Sequence, residues 1–273
     1  MDILKQVKAV YDNLSLPEKE ARNMTLACTL EPLSDKPGCV TRYQDSPKNT
    51  LEMFIAGGVN IYPAYYHLAE HLHKNRSPSG MYRFFKEAVL LSKANRDGGQ
   101  INLGILEFSF PIVAAHVLYD PLSQSSVDEL LIVAGRVIQE TEKSDLGFFV
   151  EGKDAARDIS FSHRAKRYEV QRHEVDSVFQ FYRKEFERES RQEGHPTGVI
   201  HNKQFLEHFP DIKLSYDTFV QSEGKFSDRL VAAYNAVLQK EENQGIGVGL
   251  AADFIAVTIY LALNYNKDFY FIG

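Results

Sequence analysis

Only two cysteines occur in the 273 residues, Cys28 and Cys39, eleven positions apart and without C-x-x-C spacing. That excludes a disulfide framework and a zinc ribbon and leaves the reduced thiols expected of an intracellular protein. No apolar run reaches eighteen residues; the nearest, 247–264, contains Asp253, so no membrane span is expected. The opening stretch MDILKQVKAVYDNL mixes charges with apolar residues at helical spacing and lacks the apolar centre of a signal peptide. Basic residues are not in excess, 31 Lys and Arg against 37 Asp and Glu for a net charge of −6. A nucleic-acid partner bound through a broad basic face is therefore not expected, since such binding draws on neutralised phosphates. Period-two alternation, internal repeats and low-complexity tracts are also wanting. A cytoplasmic protein without nucleic-acid or membrane partners is the expectation.

What the sequence does contain is apolar residues spaced by three and four in nearly every segment, the mark of an all-α protein. Helices are expected over 2–13, 17–31, 49–74, 80–95, 101–119, 125–142, 165–190, 200–208, 214–222, 226–241 and 247–265. Ser15 with Pro17 and Glu18, Ser46 with Pro47, and Ser125–Ser126 with Asp128 and Glu129 read as helix starts. Two stretches, 101–119 and 247–263, are apolar nearly all round and should sit at the centre, so polar residues within them need a reason. The charge-laced 165–190 reads as an outer helix, and 191–199 as the best linker candidate. A single-domain multi-helix bundle with central apolar helices, residues 1–273, is predicted.

Five constellations could carry chemistry. HLAEH places His67, Glu70 and His71 in the H-x-x-E-H pattern of inverted zinc peptidases; a solvated helix end rich in cationic side chains is the competing explanation. In RDGGQINLG the Gly98–Gly99 pair lies just before an apolar helix whose free N–H groups could face a phosphate, with Gln100 and Asn102 alongside. Asp253 in GVGLAADF needs a cation, a salt bridge or backbone donors, because a buried lone carboxylate is costly. Asp217 in SYDTF lies at the expected start of a short helix and reads as a cap or a site residue. The long connection LEPLSDKPGCVTRYQDSPKN, residues 30–49, combines charges, two prolines and a glycine. Connections of this length in compact domains are commonly functional.

Taken in order, these segments resemble the triphosphoribosyl-dephospho-CoA synthase family. Its first motif, a glutamate, a Lys-Pro-Gly turn, an Arg or His and an acidic stretch before a helix, is matched by LEPLSDKPGCVTRYQD and TLEMFIAGGV. GGQINLG, DTFV at 217–220 and GVGLAADF at 247–254 resemble its later segments, so the likeness spans about residues 20–265. The resemblance implies an all-helical transferase in which the 2′-hydroxyl of dephospho-CoA displaces adenine from ATP, giving a prosthetic-group precursor. It implies Glu31 and Asp253 as Mg²⁺ ligands or electrostatic stabilisers, Lys36 and Arg42 as phosphate contacts on a turn shaped by Pro37 and Gly38, and Asn102 as an orienting amide. Gly99 and Gln100 would share the nucleotide site, and Asp217 would be a general base. The chain departs from the pattern at Gln100, Ile101, Gln221, Ser222, Glu223, Gly247 and Val248. Small-molecule partners, a nucleotide and a hydroxyl acceptor, follow from the likeness, together with a homo-oligomer as an open option. Three rivals stand beside it: an enzyme of tetrahydromethanopterin- or methanofuran-type one-carbon cofactor biosynthesis, a non-catalytic ligand-binding relative, and a zinc hydrolase built on His67, Glu70 and His71.

Overall fold

The computed structural model describes residues 10–96, 99–160, 174–192 and 196–266; among them the regular structure is helical, with no strand beyond a lone bridge between Thr41 and Gln44. The helices in chain order are α1 (Leu16–Leu30), α2 (Leu51–Asn60), α3 (Tyr62–Asn75), α4 (Tyr82–Leu91), α5 (Leu103–Tyr119) and α6 (Val127–Gln139). They continue with α7 (Lys143–Ser160), α8 (Val178–Glu189), α9 (Pro196–Leu206), α10 (Pro210–Gln221), α11 (Phe226–Gln239) and α12 (Val248–Tyr265). The all-α expectation holds. At two of the expected starts the serine caps as predicted: Ser15 and Glu18 form a capping box before α1, and Ser126 and Glu129 form another before α6.

Several boundaries differ for local reasons. The helix expected over 49–74 is two, because Pro63 has no N–H to donate and crowds the preceding turn, so the chain breaks at Ile61. Its start is also later: Ser46 closes a turn, accepting from the Asn49 N–H at 3.0 Å, and α2 begins after Thr50. Residues 143–160, left without a helix by the periodicity, form α7. Of the outer helix expected over 165–190, the part up to 173 lies outside the described residues; the chain turns at Glu174, and Ser177 caps a shorter α8. The linker expected at 191–199 gives way to α9 from Pro196 onward. Of the first expected helix, residues 2–9 lie outside the described residues, while 10–12 is helical.

As expected, α5 and α12 are central. Every residue of α5 from Ile105 to Val117 is buried, and α12 packs against α1, α5, α10 and α11. The buried apolar residues form a cluster running from Ala21 to Ala262. By length and composition α12 could cross a membrane, but 67% of it is buried inside the bundle, as in a core helix. The polar residues of α5 each have a partner: Ser109 meets Tyr65, His116 lies between Glu20 and Ser123, and Glu107 faces Lys153. The N-terminal ends of α5 and α12 and the connection after α1 converge on one side, where two cavities open.

Candidate active site

The connection after α1 starts with a 3-10 turn, Glu31–Leu33, and folds back on itself around Lys36. Lys36 is 1% exposed; its ammonium lies 3.0 Å from the Glu31 carboxylate and also donates to the Glu31 carbonyl and to Ser34 Oγ at 2.9 Å. Gly38 then takes φ +79°, a conformation costly for any residue with a Cβ. The turn is tied to the bundle by Tyr234 of α11, whose hydroxyl donates to the Pro37 carbonyl at 2.8 Å and lies 3.5 Å from Cys39 Sγ. Glu31 is thereby aimed at the first turn of α12.

Asp253, in the second turn of α12, lines the same cavity as Glu31. Its carboxylate accepts the Ile105 N–H in the first turn of α5, and a Cβ on Gly104 would overlap that carboxylate, so the approach of α12 to α5 depends on the glycine. Burial pushes the Asp253 carboxyl well above its ordinary pKa, and the charges of Glu31 and Glu107 add to the rise. Burial also raises Glu31, against the pull of Lys36. Carboxyls in this state need a proton or a cation for company.

Asp253, Gly104 and Leu103 form the partition between two cavities. One, of about 340 Å³, is lined by Glu31, Gly38, Cys39, Asn49, Gln100 and Asn102 together with apolar side chains. The other, of about 550 Å³, is lined by Glu107, Lys153, Glu185, Arg188, Glu189 and His201 among others. Glu107 accepts from Lys153 at 2.8 and 3.0 Å and from the Tyr182 hydroxyl at 3.1 Å, with His201 Nε2 at 3.4 Å. Burial alone would raise its pKa, but Lys153 and His201 outweigh it and hold Glu107 below the usual range. Burial lowers His201, which Glu107 partly offsets. Four carboxyls, Glu107, Glu185, Glu189 and Asp253, thus face two full cations, Lys153 and Arg188, in the larger cavity.

The structure brings together Glu31, Gly38, Gln100, Asn102 and Asp253, five of the residues singled out from the sequence. Others go elsewhere. Lys36 is buried against Glu31 and does not line either cavity. Arg42 is exposed and stacks over the Tyr43 ring at 5.0 Å. Gly98 lies outside the described residues, and Gly99 sits before Asn102, which is the residue that caps α5, so the glycine does not open the helix; its carbonyl accepts from Arg96 at 2.9 Å. Asp217 lies within the second half of α10, paired with Lys213 and outside both cavities, because the helix starts four residues earlier, at Pro210. The H-x-x-E-H residues are engaged separately: His67 with Glu87 at 3.0 Å, Glu70 with Lys74 at 3.0 Å, and His71 with the Ser79 carbonyl at 2.8 Å. Among the described residues no group of three metal-ligating side chains is assembled.

Sequence reasoning missed Glu107, Lys153, Asn49 and His201. A signal existed for Glu107, a lone acid in a helix apolar nearly all round. Lys153 fell in a stretch without an expected helix, and nothing local marks Asn49 or His201.

No curated protein and no solved structure matches the chain. The model of one family does, that of ATP:dephospho-CoA triphosphoribosyl transferase, over residues 17–189. This range includes the connection after α1, all of α5 and the Glu107–Lys153 pair, and ends before Asp217 and Asp253, so the part assigned to Asp253 rests on where it sits. A match over more than half of the sequence, on a bundle whose first motif and central helix build a shared site, makes this chain a member of the ATP:dephospho-CoA triphosphoribosyl transferase family, transferase enzymes that use ATP as a substrate.

Proposed function

We propose that the protein transfers the triphosphoribosyl group of ATP to the 2′-hydroxyl of dephospho-CoA and releases adenine, as a step of prosthetic-group biosynthesis. The carrying observation is the position of Asp253 on the partition between two cavities, where parts of two substrates can meet. In the reaction the C1′–N9 bond of ATP breaks and a C1′–O2′ bond forms, and the acceptor's hydroxyl proton leaves with adenine. Positive charge builds at C1′ as the base departs, as in glycoside cleavage, and carboxylates beside that carbon stabilise it. Glu31 and Asp253 are the residues suited to this, Glu31 because Lys36 locks it and Asp253 because α5 and α12 grip it.

The donor set also fits Mg²⁺. Both cavities hold carboxyls in excess of cations, so a bare triphosphate would be repelled, and hard oxygen donors with only one or two protein carboxylates are what Mg²⁺ accompanying a nucleotide usually takes. Glu31 and Asp253 would hold it, and when bound it supplies charge neutralisation for the phosphates. Lys153 and Arg188 then orient phosphate oxygens in the larger cavity.

Incubation with ATP and Mg²⁺, with and without dephospho-CoA, and chromatography for free adenine tests the reading. Adenine release that requires dephospho-CoA is expected. Release only with a pterin or furan alcohol would reassign the acceptor, and intact ATP with every acceptor would overturn the reaction.

A further inference from the structure

The smaller cavity carries a feature that the transfer of a phosphorylated sugar does not by itself require. Three carboxamides open onto it, Asn49, Gln100 and Asn102. Asn102 is 4% exposed and held at φ +63°, and neither its Oδ1 nor its Nδ2 has a hydrogen-bond partner. Asn49 Oδ1 and Gln100 Oε1 are likewise buried and unbonded, although Gln100 Nε2 is fixed by the Ile101 carbonyl at 2.7 Å. Buried polar atoms are nearly always paired, so four unpaired ones on three residues that line a single hollow mark a place that a ligand completes. Besides the carboxyls of Glu31 and Asp253 at one side and Ser46, the walls are mostly apolar, with Val40, Phe54, Ile101 and Val248 among them.

The ligand's chemistry follows from what is absent and present in that lining. Among the described residues the lining includes no lysine or arginine, and the nearby Lys36 ammonium is turned into Glu31, so a phosphate is poorly served. A flat neutral ring with its own donors and acceptors is well served. A carboxamide sets an acceptor beside a donor, which matches the N6 amino group and adjoining ring nitrogen of adenine; the O6–N7 edge of guanine shows two acceptors and calls for Arg or Lys. We propose that the smaller cavity is an adenine pocket, with Asn102 as its two-point contact and the Asn49 and Gln100 oxygens sharing the second N–H of the amino group. The pocket rests on the reading of ATP as donor: it holds the leaving base on one side of Asp253 while the triphosphate lies on the other. Asn102 is then the residue that selects the nucleotide.

The test is binding of free adenine, guanine and pantetheine to the intact chain by equilibrium dialysis, without turnover. Asn102→Gly is the informative variant, because glycine tolerates the left-handed backbone while removing the amide; Asn49→Ala is the second, in a position free of that constraint. Adenine should bind, guanine should not compete, and Asn102→Gly should weaken adenine at least about tenfold, as loss of a bidentate base contact does. Absence of adenine binding, equal binding by both variants and wild type, or displacement of adenine by pantetheine in preference to adenine nucleotides would overturn the pocket. Amide-dependent adenine binding together with intact ATP in the transfer assay would leave the pocket standing and remove only the reaction, so the two failures are separable.

Discussion

At the scale of single residues, the site is built on carboxyls placed where their charge is unwelcome. Burial and the neighbouring Glu31 and Glu107 raise the Asp253 carboxyl, so the folded state binds a proton there that the unfolded chain gives up at lower pH. Asp253→Asn should therefore raise the melting temperature of the ligand-free protein near neutral pH while lowering kcat by about 10²-fold or more; calorimetry and the adenine-release assay read the two effects, and a lower melting temperature would contradict the electrostatic account. Lys36 has the opposite role. Lys36→Met leaves Glu31 buried without its counter-charge and should cost about 3–5 kcal/mol in urea unfolding, most of it recovered in the Lys36→Met/Glu31→Gln double variant. A phosphate-binding lysine would instead raise KM and leave stability nearly untouched.

Helix to helix, the decisive contact is the first turn of α5 against the first turns of α12. Gly104 leaves room for the Asp253 carboxylate to reach the Ile105 N–H, which an alanine would close. Gly104→Ala should keep the helical circular dichroism, since alanine favours helices, yet reduce turnover about as strongly as loss of the Asp253 carboxyl. Retained activity would show that the partition is not the reaction centre. The elements themselves were readable to different degrees. Nearly unbroken apolar character marked α5 and α12, whereas Pro63 split one expected helix and the charge pattern before α8 concealed a turn.

Across the whole molecule, a second buried polar group ties distant parts of the chain: His116 of α5 lies 2.9 Å from Glu20 of α1 and 2.9 Å from Ser123, and Tyr260 of α12 donates to the same Glu20. Burial alone would lower the His116 pKa, but Glu20 overcomes it and Asp120 adds to the rise. With the folded pKa above the unfolded value, the protonated pair's contribution is complete below about pH 6.5 and is lost as pH rises through the folded pKa. The stability gap between wild type and His116→Gln should shrink from pH 6 toward pH 9 in urea titrations. A gap independent of pH would mean that folding leaves the His116 pKa unshifted.

The sequence alone determined what depends on local pattern: an all-helical chain, two greasy central helices, the caps at Ser15 and Ser126, and a charged connection near Glu31 that was no simple linker. Periodicity and capping are encoded within a few residues, so they are legible without a fold. Which polar side chains would meet was decided only by tertiary structure, because Glu31 and Asn49 come from the connection after α1, Asn102 and Glu107 from the start of α5 and its first turns, and Asp253 from α12. Lys36 and Arg42 look alike on paper as phosphate cations. Only packing makes the one a buried partner of Glu31 and leaves the other on the surface, because the desolvation that commits Lys36 to a carboxylate exists only once the bundle has closed around it.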